Sequence, residues 1–258
     1  MKKLICFGLL ALLLSSCFRQ NQVRISGQLQ HGNGRMIHLS LLTAEGLLPV
    51  DSCVVRRNAF QFSISEKVIE RLTGSADPVF FQLSFTDDNG LTTLARGGQT
   101  VLLKADADRL VSSYRVEGPE DAMLMWELDS ALSRFVQYTD TLMQVYQYYM
   151  DNDSVRKGVE HRYNRAVDRH TQYLRDFIYS HPYSFSSMIA FYQEYNYCRF
   201  FNEKKDVELL RMFTDSLAMN YPNSQYVKYL QSRIRKLHRD VPENVSADEN
   251  LYQQKLFH

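Results

Sequence analysis

Cys17 is the residue whose surroundings point most directly to a chemical modification. Lys2 and Lys3 give the chain a positive start, and the apolar run Leu4–Leu14 leads through two serines to this thiol. A run of this length is too short to span a bilayer. A short apolar run between a positive start and small residues is typical of a secretory signal peptide. The thiol would therefore stand at the point where such a peptide is cut.

The segment Leu14-Ser15-Ser16-Cys17 resembles the bacterial lipobox. In that motif the cysteine sulfur receives a diacylglycerol, the signal peptide is cut before the cysteine, and the new amine is acylated with a fatty acid such as palmitate. The resemblance predicts a signal peptide over 1–16, a lipid on Cys17 and a tether over 17–22. Two or more acyl chains hold a protein in a membrane far better than one. The alternative is an ordinary signal peptide in which Cys17 is incidental.

The residue after Cys17 indicates in which membrane the lipoprotein would be anchored. Sorting of lipoproteins retains those with Asp at this position in the inner membrane, whereas this chain has Phe18. We therefore expect a Gram-negative cell-envelope lipoprotein in the outer membrane, facing the periplasm. With Lys2 and Lys3 removed, 28 basic residues remain against 29 acidic ones. This balance gives no electrostatic case for nucleic acid as a partner.

Other chemistry finds little support in the sequence. The remaining cysteines, Cys53 and Cys198, form no Cys-x-x-Cys motif. They could pair in an oxidising compartment, or stay apart as small buried hydrophobic residues, which we favour. The sequence has no His-x-x-x-His, no Gly-x-Ser-x-Gly and no Gly-rich phosphate loop with Lys, and Asp106 and Asp108 are interpreted as loop carboxylates. We therefore expect no metal, no cofactor and no catalytic residue.

The predicted secondary structure, which would carry any functional site, changes from strands to helices along the chain. Short runs with period-two alternation, separated by polar turns, predict strands. These runs are Val23–Leu29, Ile37–Leu41, Leu48–Val55, Phe60–Ile64, Val79–Phe85, Leu91–Ala95, Thr100–Ala105 and Ser113–Val116. They predict an antiparallel β-sandwich or barrel-like module over 23–118.

The apolar period becomes helical after Gly118-Pro119. Turn residues at Asp151–Ser154, Ser180–Ser184 and Asn220–Ser224 divide the helical pattern, and one of the predicted helices runs through Met188 to Tyr195. We predict an all-α module over 119–240 and a loose tail over 241–258. The fold class is therefore α+β.

Several short motifs of the β-rich module resemble a known family. They are Val23–Leu29 with Gly27, Asp51-Ser52, Asn58-Ala59-Phe60-Gln61-Phe62 and Val116-Glu117-Gly118. The chain resembles the N-terminal β-rich domain of unknown function, with its helical spacer, of bacterial thioredoxin-like envelope lipoproteins. That family usually has Gly at the position of Ala59, where a left-handed backbone would suit Gly better. The thioredoxin-like domain with its Trp-Cys-x-x-Cys motif is missing, so the resemblance implies no disulfide exchange here.

Aromatic residues are concentrated in the helical module. Fourteen of the 16 tyrosines lie between Pro119 and Arg239. Consecutive aromatic residues on a helix cannot all face one core, so some should be exposed, and Tyr is favoured at interfaces. The candidate partner surface is Phe191, Tyr192, Tyr195, Tyr197, Phe200 and Phe201. A Tyr-rich bundle whose hydroxyls reach water is the alternative.

These observations predict a non-enzymatic interaction or accessory module, attached to the membrane through its N-terminal lipid. One alternative is a redox accessory that works in trans with a thioredoxin-like protein through Cys53 or Cys198. Another is a small-ligand or glycan binder that uses the aromatic surface.

Overall fold

The computed structural model describes residues 21–43, 45–196 and 198–239, and of Cys198 it describes only the backbone. The predicted signal peptide, Cys17, Tyr197 and the predicted tail over 241–258 lie outside the described residues. The described residues form ten strands and seven helices, with the β-rich part first. The predicted α+β class is therefore confirmed. Contacts divide the chain into two compact units after Glu127, with 223–225 joining the first unit.

The first unit contains two four-stranded sheets with the orders β4-β1-β7-β8 and β3-β2-β5-β6. The strands are β1 Gln22–Gln30, β2 Met36–Thr43, β3 Gly46–Val54, β4 Ala59–Ser65, β5 Val79–Thr86, β6 Asn89–Ala95, β7 Thr100–Asp106 and β8 Arg115–Glu117. The short helices α1 (Glu66–Thr73) and α2 (Leu110–Ser113) lie between strands. No helix was predicted at α1, which buries only Ile69 and ends at Gly74 with φ +74°.

The core of this unit follows from the alternation along its strands. In β2, Ile37, Leu39 and Leu41 are fully buried, whereas His38 between them is exposed. In β4 the same alternation buries Phe62. Burying each such side chain stabilises the fold by about 1.5–3 kcal/mol.

The first sheet contains one parallel pair, β1 with β7, while the remaining neighbours in both sheets are antiparallel. Period-two alternation is the same in both directions, so the sequence pattern could not show this pair. Gly27 of β1 lies opposite Leu103 of β7. A Cβ atom on residue 27 would lie 2.0 Å from the Leu103 carbonyl oxygen, so this close approach requires glycine.

The turn before β4 shows that residue 59 does not need the left-handed backbone that would favour glycine. The left-handed positions are Arg57 (φ 52°) and Asn58 (φ 61°), and Ala59 is not among the residues with positive φ. Arg56 and Ala59 exchange two backbone hydrogen bonds of 3.0 and 2.9 Å across this turn. Two left-handed central residues define the tight turn that suits the twist of flanking strands.

The second unit takes most of α3 and the remaining elements. They are α3 Glu120–Tyr148, α4 Asp153–Ser180, α5 Ser186–Tyr192, β9 Glu194–Tyr195, β10 Cys198–Arg199, α6 Val207–Asn220 and α7 Gln225–Arg239. Helix α3 begins directly after Pro119, and the predicted breaks separate α3 from α4, α4 from α5 and α6 from α7. The Asn152 side chain caps α4 by accepting a hydrogen bond from the Val155 amide at 3.2 Å. Within the described residues, no helix has the length and apolar composition needed to cross a membrane.

Candidate functional site

A groove crosses the outer face of the sheet β3-β2-β5-β6 and has a volume of about 500 Å³, within the range of ligand sites. Its floor consists of His38 and Ser40 from β2 and of Gln82 and Ser84 from β5. The strand register places His38 opposite Ser84 and Ser40 opposite Gln82. Opposed positions have Cβ atoms about 5 Å apart, so the four polar side chains form a compact array.

The polar groups of this floor are available to a ligand. An imidazole, two hydroxyls and a primary amide supply both donors and acceptors. Within the described part of the chain, none of these four side chains has a hydrogen-bond or ion-pair partner. A polar group that loses water without gaining a partner is costly, so any occupant of the groove has to supply hydrogen bonds.

The walls of the groove combine apolar side chains with carboxylates. Leu47 and Pro49 of β3 supply the apolar part of one wall, and Phe85 of β5 supplies that of the other. Asp51 and Asp87 also line the groove. The lining contains no lysine or arginine.

Both walls coincide with irregularities of the sheet. Leu39 pairs with Asp51 and Ser40 with Pro49, which leaves Val50 of β3 as an extra residue. In β5 the register with β6 shifts between Ser84 and Thr86. Bulges of this kind re-aim side chains and are common beside functional sites.

Sequence reasoning missed this groove. Polar residues at alternate positions of β2 and β5 predict the solvated face of a strand, and their pattern does not show whether that face is concave. The register irregularities that shape the walls leave no clear mark in the sequence except Pro49, which is unfavourable inside a sheet.

The predicted aromatic partner surface needs correction for its three phenylalanines. Phe191, Phe200 and Phe201 are only 2, 7 and 4% exposed. Phe191 stacks on Phe201 with ring centroids 5.3 Å apart. These side chains pack in the core of the second unit and are not available to a partner. Tyr192 and Tyr195 are half-buried, and Tyr197 lies outside the described residues.

The physical reason is that the helix predicted through Tyr195 ends earlier. Helix α5 stops at Tyr192, Gln193 is extended, and Tyr195 belongs to the short hairpin β9-β10. A continuous helix would spread its aromatic residues around the axis. The change from helix to hairpin removes that constraint and lets neighbouring aromatic residues bury their rings.

The two half-buried tyrosines have internal hydrogen-bond partners. The Tyr195 hydroxyl donates to Asp140 Oδ1 at 2.5 Å, and the Tyr192 hydroxyl donates to Glu203 Oε1 at 2.8 Å. Burial and the neighbouring Glu203 raise the pKa of Tyr192. Glu203 also accepts from Arg233 Nε at 3.0 Å, and its second oxygen pairs with the same guanidinium. These contacts join α5, the segment before α6 and α7, which is a structural role.

His170 of α4 is the buried histidine of the described residues. Its ring stacks on Phe135 with centroids 4.8 Å apart, and Phe200 meets it edge-on at 4.6 Å. His170 Nε2 donates to Gln193 Oε1 at 2.7 Å. Burial lowers the pKa of His170, and the charge of Arg134 adds to this effect, whereas the hydrogen bond to Gln193 opposes it.

We expect His170 to make folding stability depend on pH. The unfolded chain binds the proton near pH 6.5, while the folded chain binds it only at lower pH. Stability is therefore full above about pH 6.5 and falls as the pH drops towards the folded-state pKa. Thermal unfolding at pH 7.5 and 5.5 should show a smaller difference for His170→Phe than for the wild type. The control His161→Phe changes an exposed histidine of the same helix and should keep the wild-type difference; equal differences in all three proteins would contradict the assignment.

Cys53 shows no sign of being a reactive thiol. It is half-buried on β3 opposite Ile37. Burial raises its thiol pKa, a backbone hydrogen bond at Gln61 lowers it, and the charge of Asp51 raises it, with a net increase. A raised pKa reduces the thiolate that redox exchange needs. The Cys198 side chain lies outside the described residues, so the separation of the two thiols stays a prediction.

His31, Asp106 and Asp108 bring three potential metal-ligating atoms within 4.8 Å of one another. These groups already have partners. Asp106 Oδ1 accepts from His31 Nδ1 at 3.1 Å and from the Asp108 amide at 3.0 Å, and Asp108 accepts from Arg35 at 2.7 Å. The Asp108 amide and His31 hold the pKa of Asp106 below its usual range. Arg109 also lies 3.5 Å from Asp106. The cluster is therefore better explained as a set of contacts that hold the loop in place than as a cation site.

No family model, curated protein or solved structure matches this chain. The resemblance to the N-terminal domain of thioredoxin-like lipoproteins therefore stays a prediction.

Proposed function

We propose that this chain is a lipid-anchored binding module of a bacterial cell envelope that acts without catalysis. The groove on the outer face of β3-β2-β5 carries the proposal, because four unpartnered polar side chains converge on its floor. Such a convergence on a rigid sheet suits recognition of a ligand or partner.

The lipid on Cys17 would set where this groove works. Four residues lie between Cys17 and the start of β1 at Gln22, and the five steps from one Cα atom to the next reach at most about 18 Å. The first unit would therefore be held close to the membrane. With Phe18 after the cysteine, we propose the periplasmic side of the outer membrane.

The groove also favours a more specific version of the function, a small-ligand or glycan binder. Its position differs from the aromatic surface that the sequence suggested for this role. The redox accessory acting in trans with a thioredoxin-like protein remains a hypothesis, and the raised pKa of Cys53 gives it no support.

Replacing Cys17 with serine should abolish attachment of the lipid. The serine hydroxyl cannot take the thioether-linked lipid, so the variant should stall as precursor or appear in the soluble periplasmic fraction. Cell fractionation and incorporation of radiolabelled palmitate measure the effect. Cys53→Ser is the matched control and should label and fractionate as the wild type does. A wild-type protein that takes up no palmitate and fractionates as soluble would contradict the anchoring.

A further inference from the structure

We propose that the groove on the outer face of β3-β2-β5 binds a short uncharged oligosaccharide. The inference rests on the proposed binding function and names the class of its ligand. It follows from the floor, the walls, the charge and the edge strand of the site.

The floor matches a ligand that is rich in hydroxyl groups. His38, Ser40, Gln82 and Ser84 present donors and acceptors side by side and have no protein partners within the described residues. A sugar hydroxyl donates one hydrogen bond and accepts others, so it can satisfy either kind of group. A ligand with hydroxyls on successive carbons can meet several members of this array at once.

The walls match the less polar faces of sugar rings. Leu47, Pro49 and Phe85 place apolar surface above the polar floor. The C–H faces of a sugar ring are removed from water when they pack on such side chains, which favours binding. Polar edges towards the floor and C–H faces towards the walls would use both parts of the groove.

The charges of the lining disfavour an anionic ligand. Asp51 and Asp87 line the groove, and their carboxylates repel anions but accept hydrogen bonds from hydroxyls. The Asp51 Oδ1 atom already accepts from the Ser52 amide at 2.8 Å. Arg35 lies 4.2 Å from the centroid of the Phe85 ring, but its guanidinium is paired with Asp108 at 2.7 Å, so it does not offset the two carboxylates that line the groove.

The free edge of β3 argues against an added peptide strand. β3 is the terminal strand of its sheet, but Pro49 lacks an N–H group and the irregularity at Val50 interrupts regular pairing. Proline and bulges are the features that protect edge strands from further pairing. Recognition would therefore use the side chains of the groove.

The test is calorimetric titration of the complete lipidated protein in a detergent without sugar groups. The probes are maltohexaose, cellohexaose and hexa-N-acetylchitohexaose as uncharged ligands, an oligogalacturonate hexamer as the anion and hexalysine as the cation. At least one uncharged probe should bind with a Kd below about 1 mM. The charged probes should bind more weakly than that uncharged probe.

Two variants connect the binding to the groove. Gln82→Ala removes an amide from the floor and should weaken binding about tenfold, as expected for one lost hydrogen bond. Gln28→Ala makes the same change at an exposed position of β1, in the other sheet, and should leave the Kd unchanged. Circular dichroism checks that both variants are folded.

The proposal is overturned if no uncharged probe binds, if a charged probe binds more tightly, or if Gln82→Ala binds as the wild type does. Absent sugar binding by a protein that still labels with palmitate would reject this ligand class and leave the anchoring intact. Sugar binding by a protein that takes up no palmitate would reject the anchoring and leave this ligand class intact.

Discussion

Replacing Gly27 with alanine is expected to unfold or severely destabilise the β-rich unit. The added Cβ atom would lie 2.0 Å from the Leu103 carbonyl oxygen and 2.8 Å from its carbonyl carbon. Both atoms belong to the backbone of β7, which pairs with β1 on one side and β8 on the other. Neither strand can move aside without breaking its ladders, so we expect a loss of at least about 3 kcal/mol.

The matched control for this change is Gly158→Ala. Gly158 lies inside α4, and a Cβ atom there would meet nothing within 4 Å. Alanine in a helix interior is about 1 kcal/mol better than glycine, so this variant should be slightly more stable than the wild type. Urea unfolding followed by fluorescence of Trp126 and by circular dichroism measures both variants. A loss below about 1 kcal/mol for Gly27→Ala would contradict the close strand approach.

Replacing Glu203 with glutamine is expected to destabilise the second unit by about 2 kcal/mol. The Glu203 side chain is 15% exposed and accepts from Arg233 and from Tyr192. Desolvation alone would raise its pKa, but Arg233 and Tyr192 together hold that pKa below its usual range. Removing one partner of a largely buried ion pair leaves the other charge unpaired. The partial exposure of Arg233 keeps the loss below the 3–5 kcal/mol typical of full burial.

Glu208→Gln provides the control for the ion pair. Glu208 pairs with Arg211 at 3.0 Å on the surface of α6, and its side chain is 78% exposed. Exposed pairs contribute little, so the expected change is below about 0.5 kcal/mol. Urea unfolding followed by circular dichroism at the helix band compares the two variants. Equal losses for both would show that the Glu203 pair contributes no more than an exposed one.

Local sequence signals predicted the elements that bury a repeated apolar face. The alternation in β2 is visible because the strand repeats its apolar signal several times. The breaks at Pro182 and Pro222 are visible because they interrupt helical patterns that are repeated on both sides. Helix α1 was missed because it buries only Ile69 and so lacks such a repeat. The parallel direction of β1 and β7 was not predictable, since it depends on how distant parts of the chain meet.

The candidate site was less predictable than the fold. Tyrosine and phenylalanine around Phe191 suggested a surface, but Phe191 is buried within α5, and Phe200 and Phe201 are buried in the segment that follows the end of α5 at Tyr192. The groove residues His38 and Gln82 are separated along the chain and come together only through the pairing of β2 with β5. A single sequence carries no direct signal for such a pairing.

The pairing of β1 with β7 limits how early this chain can complete its first sheet. Residues Arg24–Gln30 pair with Thr100–Asp106, so one side of an early strand stays open until more than a hundred residues have emerged. Pairings between residues so distant in sequence form slowly, because the loop must close before the contact stabilises it. During synthesis β1 can pair first with β4, which emerges much earlier. During synthesis the first sheet therefore stays incomplete until β7 has emerged, even when β1 and β4 are already paired.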